Sequence, residues 1–202
     1  MNYDRKMLEG WTGMATWEEY LTREGAFNNV SREVWQFIEQ KYFRLVERRI
    51  DHCKKLLTEH DDWYIYYTLA ELYDRGNLDG SVEQGYKRPV RYWAIKTIRK
   101  NPRHASTWAL LAEAYVWIAA LGGESKEMPK VTTEINEQDI IVDIEKQNTG
   151  KYRNPALFLT ERAIRCLEKA IAIDPQGKYT YRLKEFYGLR AEELEENRRR
   201  KI

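Results

Sequence analysis

The sequence predicts an all-α fold in which one helix-turn-helix unit recurs, and three observations lead there. First, a phrase repeats: KTIRKNP ends at Pro102 and KAIAIDP at Pro175, each a helix tail shut off by Asn-Pro or Asp-Pro, and KKLLTEH, ending at His60, has the same shape. Second, Trp108, Ala112 and Tyr115 follow Pro102 at the same intervals as Tyr66, Ala70 and Tyr73 follow His60. Third, the apolar residues between these stops fall at three-and-four spacing, the period of an amphipathic helix. Repeated units of this kind build surfaces more often than active sites.

The elements can be justified in order. Thr16-Trp-Glu-Glu19 reads as a capping box that opens a short helix closing near Gly25, within an N-terminal helical extension over 1–30. From Ser31 a run through Val34, Trp35, Ile38, Tyr42, Leu45, Val46, Ile50, Cys53 and Leu57 keeps helical spacing without Gly or Pro. It fits one long helix or two with a turn near Arg44. A helix over 62–75 follows, with Gly76 as C-cap. Residues 77–86 hold two glycines and form an insertion, after which Pro89 opens a helix to about Lys100. The next helix covers 105–121 and stops at Gly122-Gly123.

The pattern then breaks over a long insertion, 122–152. VTTEI (131–135) alternates like a strand, and 136–147 suits a short helix with Ile140, Ile141 and Ile144 on one side. Asn154-Pro155 restores the pattern as N-cap and first-turn proline. That helix runs to Ile173, and a C-terminal capping helix spans 178–200.

Composition narrows the function classes. The chain has 202 residues, enough to bury a real core, and carries 33% charged residues with a net charge of only +2. That balance gives no general drive toward nucleic acid or anionic membrane. The 7 Trp and 14 Tyr are numerous, and such residues fill helix seams or line binding grooves. Two cysteines, Cys53 and Cys166, without CxxC spacing argue against a disulfide framework or structural zinc. No N-terminal apolar run and no membrane-spanning stretch occur, so a cytoplasmic protein without membrane insertion is expected.

These residues resemble the tetratricopeptide repeat, a helix-turn-helix unit of about 34 residues. Its first helix is best matched by Trp108, Leu111, Ala112 and Tyr115. Its second is best matched by Ala163, Leu167, Ala170 and Pro175, with Val90, Ala94, Thr97 and Pro102 close behind. The resemblance covers about 32–189 and implies an α-solenoid of stacked helical hairpins over 31–202. It departs from the family at both insertions and at Arg48, His52 and Lys55, where small-large-small residues belong.

The resemblance also implies a ligand face. First helices line the concave groove, which carries over here to Tyr64, Tyr67, Glu71 and Asp74 in one unit and to Ser106, Ala109, Glu113 and Val116 in the next. Tyr179, Arg182 and Phe186 are a weaker continuation. The spacing alone puts each set on one helix face. An acidic, aromatic groove favours a basic segment or an apolar helix over a free carboxylate. The bland alternative is that these carboxylates are solvated or paired with neighbouring cations.

Other constellations weigh less. His52, Cys53, His60, Asp61 and Asp62 are the nearest approach to a metal cluster, but two histidines eight apart on one helix do not make the usual ligand pair. The basic stretch from Lys87 to His104, with Tyr92 and Trp93 interleaved, is the best case for nucleic acid. Arg198–Lys201 reads as a solvated helix end, paired with Glu195 and Glu196. No catalytic motif or phosphate loop occurs, so no enzyme activity, cofactor or metal is expected. The expectation is an adaptor, scaffold or accessory subunit that binds another protein through the groove or through the insertion isoleucines. Nucleic-acid binding is the alternative, and self-association stays open.

Overall fold

The computed structural model describes residues 5–12, 32–75, 87–120 and 155–199. They form seven helices: α1 (Arg5–Thr12), α2 (Arg32–Leu56), α3 (Trp63–Arg75), α4 (Lys87–Lys100), α5 (Ala105–Ala120), α6 (Pro155–Ile173) and α7 (Tyr179–Arg199). No strand occurs among the described residues. The capping box at 16–19, the insertion at 77–86 and the strand and helix expected within 122–152 lie outside them. None of the described helices is long and apolar enough to cross a membrane. The chain divides into two compact units, Met1–Leu111 and Ala112–Ile202, with the boundary inside α5.

The open choice over the first long run resolves to one helix of 25 residues. Tyr42, Val46, Ile50 and Cys53, at four-four-three spacing, form its buried stripe. Lys54 and Lys55 lie in its last turn, where positive charge complements the helix dipole. The amides of Glu59 and His60 close on the Leu56 carbonyl at 3.1 and 2.9 Å, ending the helix before His60. His52 and His60 therefore do not share a helix, contrary to the sequence expectation.

Asp62 starts α3 by accepting a hydrogen bond from the Tyr64 amide at 2.8 Å, the bond of an N-cap carboxylate. WYIYYTLAELYDR has little polar surface, and Tyr64, Ile65, Tyr66, Thr68, Leu69, Ala70 and Leu72 are all buried. Burial on so many sides needs several neighbours, and α1, α2 and α4 supply them. The contact with α4 is the most extensive, and its small residues show why: Ala70 on α3 and Val90, Ala94 and Thr97 on α4 are fully buried. Pro89 stands third in α4 rather than first. The first turn still tolerates it, because amides there have no carbonyl to bond within the helix.

α6 and α7 pack as the corresponding pair of the second unit. Leu159, Ala163, Leu167 and Ala170 bury the inner face of α6, and Phe186 is the buried anchor of α7. Between them Asp174 accepts the Gln176 amide on Oδ1 (3.2 Å) and the Gly177 amide on its carbonyl (3.1 Å). This Asp-Pro-Gln-Gly turn is the stop that the repeated phrase announced.

Candidate functional site

The first unit gathers the α3 half of the expected face around Tyr67. Tyr67 Oη donates to Glu71 Oε1 at 2.9 Å, one helical turn on. Its ring meets His104 edge-on at 4.4 Å between centroids and Tyr64 at 5.8 Å. His104 precedes α5, where its Nδ1 lies 2.7 Å from Thr107 Oγ1 and its carbonyl accepts the Thr107 amide at 3.2 Å. It also lies against Trp63, at 5.1 Å. The spacing of α3 and the lead into α5 thus converge on one aromatic cluster.

Glu71 does not present a bare negative charge. Arg75 Nη2 lies 3.2 Å from its Oε2, and the two side chains are only 17% and 18% exposed. Burial still pushes the Glu71 carboxyl above the usual range, against the pull of Arg75 and Tyr67. Burial likewise raises the Tyr67 phenol, with the Glu71 charge adding to it. His104 moves the other way, since burial and then the Arg5 charge disfavour its protonated form. The site is a half-buried aromatic surface with internally balanced charge.

A second cluster forms in the other unit. Arg182 on α7 grips Glu113 on α5 with two donors, Nε at 2.6 Å from Oε1 and Nη2 on Oε2, while Nη1 bonds Glu185. These bonds raise the Arg182 pKa. In the first unit Arg75 offsets Glu71, and in the second Arg182 offsets Glu113. The sequence reading named Arg182 only as a continuation of the face, not as the partner of Glu113.

The remaining expected residues divide. Tyr64 is nearly fully buried, part of the core as much as of the face. Asp74, Ser106, Ala109 and Val116 are partly exposed. Ile140, Ile141 and Ile144 lie outside the described residues. Sequence reasoning missed Arg5, Leu8 and Trp11, and placed His104 in the basic stretch rather than beside Tyr67. The Glu71-x-x-x-Arg75 spacing was the one local signal available for the ion pair.

Part of the basic stretch is engaged within the first unit. Arg91 is buried. Lys96 Nζ lies 5.9 Å over Tyr66 and 5.6 Å over Tyr92, and Tyr66 stacks on Trp93 at 5.7 Å. Lys100 pairs with Asp61, whose carboxylate also accepts the Tyr66 hydroxyl. Among the described residues no group of three or more His, Cys, Asp or Glu side chains is placed to hold a metal ion. At the C-terminus Arg199 pairs with Glu195 at 2.6 Å, both exposed. Comparison with family models, with curated proteins and with solved structures finds no match.

Proposed function

We propose that this chain is a protein-binding module, an adaptor or accessory subunit built as a tetratricopeptide-like array, and that its partner binds at the aromatic face of α3. The observation that carries this reading is the convergence of Tyr64, Tyr67 and His104 beside half-exposed Ser106. Aromatic side chains held rigidly by neighbours lose little entropy on binding and anchor many interfaces. With Glu71 balanced by Arg75, the face favours an apolar or aromatic segment with few basic residues over a strongly basic one. The nucleic-acid alternative gains nothing from Lys96 and Lys100, which rest on Tyr66, Tyr92 and Asp61.

Ala109→Arg tests the reading. Ala109 is partly exposed and follows Ser106 by three residues on the same helix face. The longer, charged side chain obstructs that face. Partners captured from native lysate by wild type should be lost with Ala109→Arg while its melting temperature stays unchanged. Undiminished capture by the folded variant would rule out this face.

A further inference from the structure

We propose that α1 is a self-docked latch on this face. It occupies the seat between α2 and α3 that adjoins the face at Tyr64, and the partner is an amphipathic helix that extends from the face into this seat with Arg, Leu and Trp at three-residue intervals. The proposal rests on the protein-binding reading above and specifies both the partner chemistry and its regulation.

α1 has eight residues, RKMLEGWT, and helices this short are not stable alone in water. It is helical because it is docked, and its contacts are those of a peptide in a groove. Arg5 Cζ lies 5.1 Å over Trp63 and 4.4 Å over Tyr64. Leu8 is 0% exposed, within the core cluster of Tyr42, Val46, Ile50 and Leu69. Trp11 meets His52 edge-on at 5.4 Å, with Arg49 over its ring at 5.4 Å. The end of the helix is held as well: Arg75 donates to the Thr12 carbonyl at 2.9 Å, and Thr12 Oγ1 lies 3.2 Å from the Tyr64 hydroxyl.

Anchors one helical turn apart, closed by a bond to the terminal backbone, are how a groove reads an amphipathic helix. Two of the residues engaged, Tyr64 and Arg75, belong to or neighbour the face assigned to the partner. α1 is also built to release. Gly10 sits inside this short helix, yet a Cβ there would meet nothing within 4 Å, so packing does not require a glycine. Its effect is to weaken the helix. A longer helix with the same three anchors and no glycine buries more surface and displaces it.

The test uses a fluorescein-labelled peptide of residues 1–14, titrated by anisotropy into three full-length proteins: wild type, Leu8→Ala and Gly10→Ala. Leu8→Ala empties the anchor of the resident helix and should bind the peptide at least about tenfold more tightly than wild type. Gly10→Ala strengthens the resident helix and should bind it about two- to fivefold more weakly. A peptide carrying Trp11→Ala should not compete. If Leu8→Ala fails to fold, the Gly10→Ala comparison decides alone. Equal affinity for wild type and Gly10→Ala, or no binding to any of the three, overturns the latch. Those outcomes leave the groove reading intact, because that reading stands or falls on partner capture by Ala109→Arg.

Discussion

Arg182 closes on Glu113 across 69 residues of sequence, with Nε 2.6 Å from Oε1 and Nη2 on Oε2. The pair ties α7 to α5 within the second unit. A guanidinium that bonds both oxygens of a carboxylate fixes geometry as well as charge. The side chains are 43% and 26% exposed, so water screens much of the attraction. A double-mutant cycle of Glu113→Ala and Arg182→Ala should give a coupling of about 1 kcal/mol by denaturant unfolding. Arg182→Lys should lose most of it, since an ammonium cannot make both bonds. A coupling near zero would mean that the pair does not fasten the helices.

Two glycines should respond to alanine with opposite signs. At Gly177 a Cβ would collide with the Tyr179 ring and come within 2.8 Å of Asp174 Oδ2, inside the turn that joins α6 to α7. Gly177→Ala should destabilise the protein by roughly 1–2 kcal/mol, and Tyr179→Ala in the same chain should recover part of that loss. Gly188 lies within α7 with nothing within 4 Å of the added atom. Gly188→Ala should stabilise by about 0.5–1 kcal/mol, because helix entropy improves and no contact suffers. Thermal melts of the two variants would check the signs.

The helices from α3 onward were legible because their ends carry local chemistry: Asp62, Asn101-Pro102 and Asp174-Pro175 each act within a few residues. α1 was not legible. It offers only Met7, Leu8 and Trp11 as apolar residues, includes Gly10, and owes its order to Tyr42, Val46 and Tyr64 far along the chain. The face on α3 followed from spacing, because Tyr64, Tyr67 and Glu71 share a side of any helix. Its electrostatics did not, because the Arg5 that lies over Tyr64 arrives by tertiary packing, as does the Arg182 that answers Glu113 in the second unit.

His104 should make the first unit sensitive to mild acid. Burial, then the Arg5 charge, holds its pKa below the ordinary 6.5 in the folded state. The neutral ring is therefore the stabilising form. Its contribution is complete above about pH 6.5 and is lost as pH falls from there through the depressed folded value. Glu71 runs the opposite way. Its folded pKa is raised, so its contribution weakens as pH climbs from the ordinary carboxylate value through the raised one. Imidazole resonances followed by NMR should show His104 titrating below 6.5, and Arg5→Ala should move it partway back. His104→Gln should flatten the loss of stability on the acid side, and an unchanged acid slope would exclude His104 as its source.

The two thiols should report opening of the units from within. Cys53 lies in the core cluster with Leu8 and Tyr42, and Cys166 lies on the buried side of α6; burial pushes both up to about 12. The thiolate is the reactive form, so at pH 8 each native thiol is both shielded and almost entirely protonated. In Cys166→Ala and Cys53→Ala chains, which leave one thiol each, a disulfide reagent should label neither within the mixing time. Slow labelling should then track the open fraction and rise with denaturant. Leu8→Ala should speed Cys53 labelling at least tenfold, because the cluster that shields the thiol loses its contact with α1. Immediate reaction of Cys53 in wild type would mean that the α1–α2–α3 core is already open to solvent.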